Sequence, residues 1–218
     1  MTIGGPGGTI ALLAGAYLLG SIPWSYLIVR LTQGLDVRTV GSGNVGATNV
    51  LRTAGKKAGG LALVLDVGKG VAAVLVSRAL EAPSSAVGCA AVAVVLGHVF
   101  PIFLKFRGGK GVATAAGALG ALEPAVLLVC LLLFVAVVLW KRYVSLGSIV
   151  VAAAFPLVLW AAQRRGWARS DVWELLGAAA IGLIVIARHR GNIERLWKGT
   201  ERRLGEPKGP QPAGGAQT

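Results

Sequence analysis

Acidic side chains are scarce in this chain: nine Asp and Glu stand against 22 Lys and Arg in 218 residues, a net charge of +13. The few carboxylates fall outside every polar motif, which argues against a Ser–His–Asp triad or a dedicated carboxylate base. No Asp cluster is present either, which argues against a metal-dependent transferase of nucleotide-activated lipids. The two cysteines, Cys89 and Cys130, lie inside apolar runs and suggest neither a disulfide framework nor a metal site. There is no Gly-x-Ser-x-Gly elbow, no Cys/His cluster and no Rossmann fingerprint, so neither metal nor cofactor is expected. Charged residues make up 14%, too few for a soluble domain of this length.

What fills the chain instead is apolar sequence, 55% of residues with a mean hydropathy of +0.70. The expectation is an all-α integral membrane protein, one transmembrane domain over 1–204 and a disordered cytoplasmic tail over 205–218, where Gly and Pro dominate without periodicity. A span needs about 20 apolar residues. The candidates are Thr9–Arg30, Gly59–Arg78, Ala86–Leu104, Val112–Leu122, Ala125–Trp140, Val144–Ala162 and Val172–Arg188. That makes about seven helices, the fourth and fifth short and separated at Glu123-Pro124, because a residue before proline avoids the helical region. The first run lacks a preceding basic region and reads as a retained helix rather than a signal peptide.

Lys and Arg set the orientation. Arg30, Arg38, Arg52, Lys56, Lys57, Lys105, Arg107, Lys110, Lys141, Arg142 and most of the C-terminal basic residues fall on one side. Arg164, Arg165 and Arg169 oppose the trend. The balance places the N-terminus outside and the C-terminus in the cytoplasm, and it accounts for the basic charge without nucleic acid. The second, fourth and sixth helices then start at the cytoplasmic face, where free N–H groups and partial positive charge favour anions.

Three polar motifs share that face. Gly41-Ser42-Gly43-Asn44-Val45-Gly46-Ala47-Thr48-Asn49-Val50-Leu51-Arg52 is a glycine-rich loop with hydroxyls, amides and an arginine able to grip phosphate bidentately. Its plain alternative is a set of Asx and Ser turns before a helix. Gly108-Gly109-Lys110-Gly111 stands at a helix entrance, where glycines admit a phosphate and lysine adds a point charge. It is no Walker A loop, and a tight turn with a topology-setting lysine is the alternative. His189-Arg190-Gly191-Asn192 follows the last long helix; the histidine either complements that helix end or contacts phosphate, or acts as a base. His98 reads equally as a packed residue, and Asp66 with Lys69 as a supporting ion pair.

Taken in order, these segments resemble the bacterial acyl-phosphate:glycerol-3-phosphate acyltransferases, membrane enzymes of phospholipid synthesis. The likeness rests on Gly20-Ser21-Ile22-Pro23, Gly41–Arg52, Gly97-His98 through Gly108-Gly109-Lys110-Gly111, Arg142–Ser148 and His189–Leu196. It implies transfer of a fatty acyl group from acyl phosphate to the sn-1 hydroxyl of glycerol 3-phosphate, giving lysophosphatidic acid and inorganic phosphate. It also implies that Ser42, Arg52, Lys110, Ser148, His189 and Asn192 line the site, with Ser42, Lys110, His189 and Asn192 closest to the chemistry. Asn44, Thr48, Asn49, Arg52, Gly108, Gly109, Gly111 and Ser148 would then hold substrate, Lys110 on one phosphate and Arg52 with Asn192 on the other. The resemblance favours a proton removed by the acyl-phosphate group itself over His189 as base. The expected setting is the bacterial inner membrane, as a monomer, with the site facing the cytoplasm and the acyl chain of the donor lying between helices, open to the lipid bilayer.

Overall fold

A computed structural model describes residues 5–206. Among them every regular element is helical: α1 (Pro6–Ser21), α2 (Trp24–Gln33), α3 (Ala47–Ala79), α4 (Ser84–Val99), a single 3-10 turn (Ile102–Leu104), α5 (Val112–Leu122), α6 (Pro124–Lys141), α7 (Val144–Arg164), α8 (Val172–Arg188) and α9 (Arg190–Trp197). The tail expected over 205–218 lies outside the described residues from 207 onward.

All seven expected segments are helical, with three differences. The first run is broken at Ile22-Pro23 into α1 and α2, where proline lacks the amide a continuing helix needs. The second helix starts at Ala47, twelve residues before the expected Gly59. Residues Ala47–Ala54 form a polar first stretch set off by Gly55 at φ 86° and ψ 178°, a conformation open almost only to glycine. The fifth segment is not short: α6 has 18 residues, whereas α5, with 11, falls well below a bilayer's thickness. Five stretches are long and apolar enough to cross a membrane, Pro6–Gln33, Ala47–Ala79, Ser84–Leu104, Pro124–Lys141 and Val144–Arg164. A sixth is counted if α8 and α9, bent by 56°, form one span.

Small residues let the helices meet backbone to backbone, as lipid-embedded bundles do. A Cβ on Gly70 would strike the Thr114 carbonyl and one on Gly117 the Val67 carbonyl, so α3 and α5 touch without side chains between them. Gly20 and Gly97 do the same for α1 and α4. The core along α4 (Ala90, Val94, Val95) extends through Ala118 of α5 to Phe155, Leu159 and Ile181 of α7 and α8. Large apolar side chains on α6, among them Leu128, Leu132 and Leu139, stay exposed and suit lipid.

One end of the bundle is closed by ionic links. Arg78 donates to the carbonyls of Ala121 (2.8 Å) and Leu122 (3.3 Å), which end α5, and pairs with Glu174 at 3.1 Å. Glu123 accepts from the amides of Arg169 (2.7 Å) and Ser170 (2.6 Å). From that end, α5 rises only about 16 Å, half of a bilayer core of about 30 Å.

Candidate active site

The Gly41–Arg52 stretch is not one loop. Gly41–Gly46 form turns, and Ala47 onward is helix. Asn49, 1% exposed, organises the turns: its Nδ2 donates to the carbonyls of Val37 and Val40, both at 3.0 Å, and its Oδ1 accepts the Ser42 amide at 2.9 Å. That side chain is committed to the loop, so it shapes the site rather than facing a ligand. Ser42, Thr48 and Arg52 are exposed and Asn44 is half-buried. Thr48 and Arg52, four residues apart on the short Ala47–Ala54 helix, share a face.

The second motif is a turn that only glycine can make. Lys105 and Phe106 both take positive φ, and Gly111 caps α5 at φ 83°. The Gly108 amide donates to the Val99 carbonyl and the Gly109 amide to the His98 carbonyl, each at 3.2 Å. A Cβ on Gly108 would collide with the His98 carbonyl, and one on Gly109 with His98 Nε2 and the Val45 carbonyl. Both amides are thus already hydrogen-bonded within the chain. The unpaired N–H groups at this point are those opening α5.

Lys110 leaves that turn and meets the third motif. Its Nζ donates to Asn192 Oδ1 at 2.6 Å. Asn192 Nδ2 donates in turn to Glu201 Oε1 (2.7 Å), which also accepts from Ser145 Oγ (2.5 Å), while Arg195 Nε donates to Glu201 Oε2 (2.7 Å). The start of α7 (Ser145), the turn before α5 (Lys110) and the first turn of α9 (Asn192) are thus tied into one network. Ser148, one turn beyond Ser145, donates to the Val144 carbonyl at 2.9 Å and stands outside it. Ser42, Asn44 and Thr48 make no bond to it either.

Two participants escaped sequence reasoning, Glu201 and Arg188, while Ser145 lay within the Arg142–Ser148 segment already singled out. Glu201 is the one acid between Arg195 and Arg203, a signal that was present in the chain. Arg188 donates to the carbonyls of Gly109 and Gly108, each at 3.4 Å, and lies over the Phe100 ring at 5.4 Å. Its position counted only as a topology signal.

Burial sets the protonation of the site. Lys110 is pushed down to about 8, chiefly by desolvation; the Glu201 carboxylate opposes that shift, and Arg195, Arg52 and Arg188 add to it. The last point also puts Arg52 within electrostatic reach of Lys110. His189, 2% exposed, is pushed down to about 4 by burial, against the Val185 hydrogen bond, which works the other way; nearby Lys110 lowers it further and Glu201 offsets part of this. Its Nδ1 lies 2.7 Å from the Val185 carbonyl, which assigns the proton to Nδ1 and leaves Nε2 as acceptor. Glu201 is held below the usual carboxylate range: desolvation opposes this, and hydrogen bonds from Ser145, Asn192 and Arg195 outweigh it. Among the described residues, no three His, Cys, Asp or Glu side chains gather as a metal site would require.

Fold and site together define, among the described residues, an all-helical membrane protein with a cationic cluster where the starts of α5, α7 and α9 converge. The glycerol-3-phosphate acyltransferase family model matches residues 10–199. The glycerol-3-phosphate acyltransferase of Geobacter sulfurreducens is 47% identical over 196 residues, covering 89% of this chain and 97% of that protein. That of Desulforamulus reducens is 43% identical over 203 residues, covering 92% and 97%. Among solved structures, the glycerol 3-phosphate form of PlsY (YgiH), an integral membrane glycerol 3-phosphate acyltransferase, shares 44% identity and a TM-score of 0.84 over 90% of this chain and 96% of that one. Its lysophosphatidic acid form gives 43% and 0.82. The chain belongs to the glycerol-3-phosphate acyltransferase family, and it is an acyltransferase of lipid synthesis.

Proposed function

We propose that this enzyme moves a fatty acyl group from acyl phosphate to the sn-1 hydroxyl of glycerol 3-phosphate, forming lysophosphatidic acid and inorganic phosphate. The observation that carries the reading is the Lys110–Asn192 contact at the converging helix starts, in a chain 44% identical to a PlsY captured in a glycerol 3-phosphate form. Two phosphate substrates bring up to about four negative charges. Lys110, Arg52 and the unpaired amides at the start of α5 answer that charge. Lys110 holds one phosphate; Arg52 and Asn192 hold the other; Ser42 and Ser148 position the reacting groups.

Glycerol 3-phosphate attacks the acyl carbonyl with its hydroxyl oxygen, a new C–O ester bond forms, and the anhydride C–O bond to phosphate breaks. Phosphate is a good leaving group that needs no protein acid and departs with the proton taken from the attacking hydroxyl, so orientation and charge stabilisation supply most of the acceleration. The hydroxyl proton passes to an oxygen of the acyl-phosphate group. His189 is the weaker candidate for it: its value of about 4 lies below the second ionisation of a phosphate ester, about 6. The neutral ring instead accepts a hydrogen bond through Nε2 and orients a substrate hydroxyl. The enzyme works as a monomer with seven spans in the bacterial inner membrane, N-terminus outside, and its recess opens to the cytoplasm.

The test is an assay of the purified full-length protein in lipid mesophase, with glycerol 3-phosphate and either acyl phosphate or acyl-CoA. Phosphate and lysophosphatidic acid are expected with acyl phosphate only. Lys110→Ala is expected to lose about 10²–10³-fold in kcat with its unfolding temperature unchanged. Equal turnover with acyl-CoA sinks the donor assignment.

A further inference from the structure

Beneath the glycine turn lies a second polar cluster that the reaction does not use. Lys69, 3% exposed on α3, donates from Nζ to the carbonyls of Gly20 (2.8 Å) and Ile22 (3.1 Å) at the break between α1 and α2, where the Ile22 carbonyl also accepts the Trp24 amide at 3.1 Å. Its charge is matched by Asp66 on the same helix, Nζ to Oδ1 3.0 Å. The same Oδ1 lies 3.4 Å from His98 Nδ1. Both Asp66 oxygens lack a well-directed hydrogen bond, so these contacts hold by charge more than by angle. With Ser25, Val45 and Pro101, the three side chains line a narrow cleft.

The far edge of the His98 ring is what reaches the active site. The Gly109 backbone rests on His98 Nε2, closely enough that a Cβ would collide with it, and the Gly109 amide is bonded to the His98 carbonyl. His98 therefore touches the turn twice, once with its ring and once with its backbone. Lys110 follows directly. An ionised pair this deep in a membrane bundle is costly and persists where it has work to do.

We propose that His98 is a positioning residue for the Gly108–Lys110 turn. Its Nε2 edge carries the turn, and the Asp66–Lys69 pair fixes the ring while tying it to the α1–α2 break. The inference rests on the reading of Lys110 as a phosphate ligand. Through the turn, His98 sets the height of the Lys110 ammonium, and a misplacement on the order of 1 Å at such a group costs up to about 10²-fold.

Two substitutions separate the contacts. His98→Asn places its amide nitrogen where Nδ1 was, keeping Asp66 company but leaving Gly109 unsupported. His98→Gln reaches the Nε2 position and gives up Asp66. In the acyl-phosphate assay on the full-length protein, His98→Asn is expected to raise one substrate's KM about tenfold with kcat within about threefold. Gly109→Ala is expected to raise the KM of the same substrate, and His98→Gln to stay within about threefold of the parent. The proposal is overturned if His98→Asn loses only thermal stability with both KM values unmoved, or if His98→Gln is as impaired as His98→Asn. Lys110→Ala in the same series separates the two ideas. Full turnover of Lys110→Ala removes the phosphate reading and this proposal together; a dead Lys110→Ala beside unmoved His98→Asn removes this proposal alone.

Discussion

At the scale of single residues, the decisive property is that burial lowers two bases, Lys110 and His189, with different consequences for function. Lys110 must be charged to hold phosphate, yet its value is pushed down to about 8. In the free enzyme the ammonium is present below that pH and lost as pH rises through it, so kcat/KM, which reports the free enzyme, should fall above about pH 8. Glu201 raises Lys110, so Glu201→Gln should move this descending limb to lower pH, and Lys110→Arg should move it beyond the measured range. A limb that ignores both substitutions belongs to another group. His189, held neutral, gives the complementary case. General-base loss costs about 10²–10⁴-fold, so His189→Gln should retain kcat within about tenfold if the ring only orients substrate. A drop of the full size would restore His189 as the base.

The same residues mark what the sequence made legible. Lys110, His189 and Asn192 stood out because a charge or imidazole beside glycines, in an apolar chain, has few other uses. Asn49 stood out for the same reason but proved to be a loop clamp, since a side chain's partners depend on a fold that local sequence does not contain. Glu201 was passed over for the opposite reason: it follows the motifs, and only the return of 199–206 against the α6–α7 turn, where the Leu204 amide donates to the Arg142 carbonyl at 2.5 Å, brings it inward.

At the scale of elements, long apolar runs announced every span, while boundaries set by polar sequence were hidden. Ala47–Ala54 is helical yet carries Thr48, Asn49 and Arg52, so its composition reads as a loop. Gly55 makes the distinction possible. A Cβ at Gly55 meets nothing within 4 Å, but φ 86° disfavours any side chain, so Gly55→Ala should cost about 1–3 kcal/mol through the backbone alone. Gly60, also open but inside regular helix, should respond with the other sign: Gly60→Ala gains up to about 1 kcal/mol. Thermal unfolding in detergent compares them. Gly55→Ala should also raise a substrate KM, because the kink aims the short helix that bears Arg52, whereas Gly60→Ala should leave KM alone. If both variants behave alike, the kink has no part in placing Arg52.

At the scale of the molecule, the open question is which side of the membrane the recess faces, and charge decides the expectation. The end holding Arg52, Lys110, Arg142 and Arg195 also carries Arg30, Arg38, Lys56, Lys57, Lys105, Arg107 and Lys141; the opposite end carries Arg78, Arg164, Arg165 and Arg169. Three of the opposing four are engaged locally, Arg78 with Glu174 at 3.1 Å, Arg164 over the Trp160 ring at 5.9 Å and Arg165 over the Trp167 ring at 5.4 Å. The positive-inside rule counts Lys and Arg near span ends, and the excess at that end is the basis for proposing that it faces the cytoplasm. Two tryptophans report the sides directly: Trp167, between α7 and α8, is 73% exposed, and Trp197, ending α9, is 90% exposed. In a background where Cys89 and Cys130 are serines, a membrane-impermeant thiol reagent on intact spheroplasts should label Trp167→Cys, and it should label Trp197→Cys only after permeabilisation. The reverse pattern would turn the recess outward, away from the cytoplasmic pools of both proposed phosphate substrates, and the orientation would have to be abandoned with it.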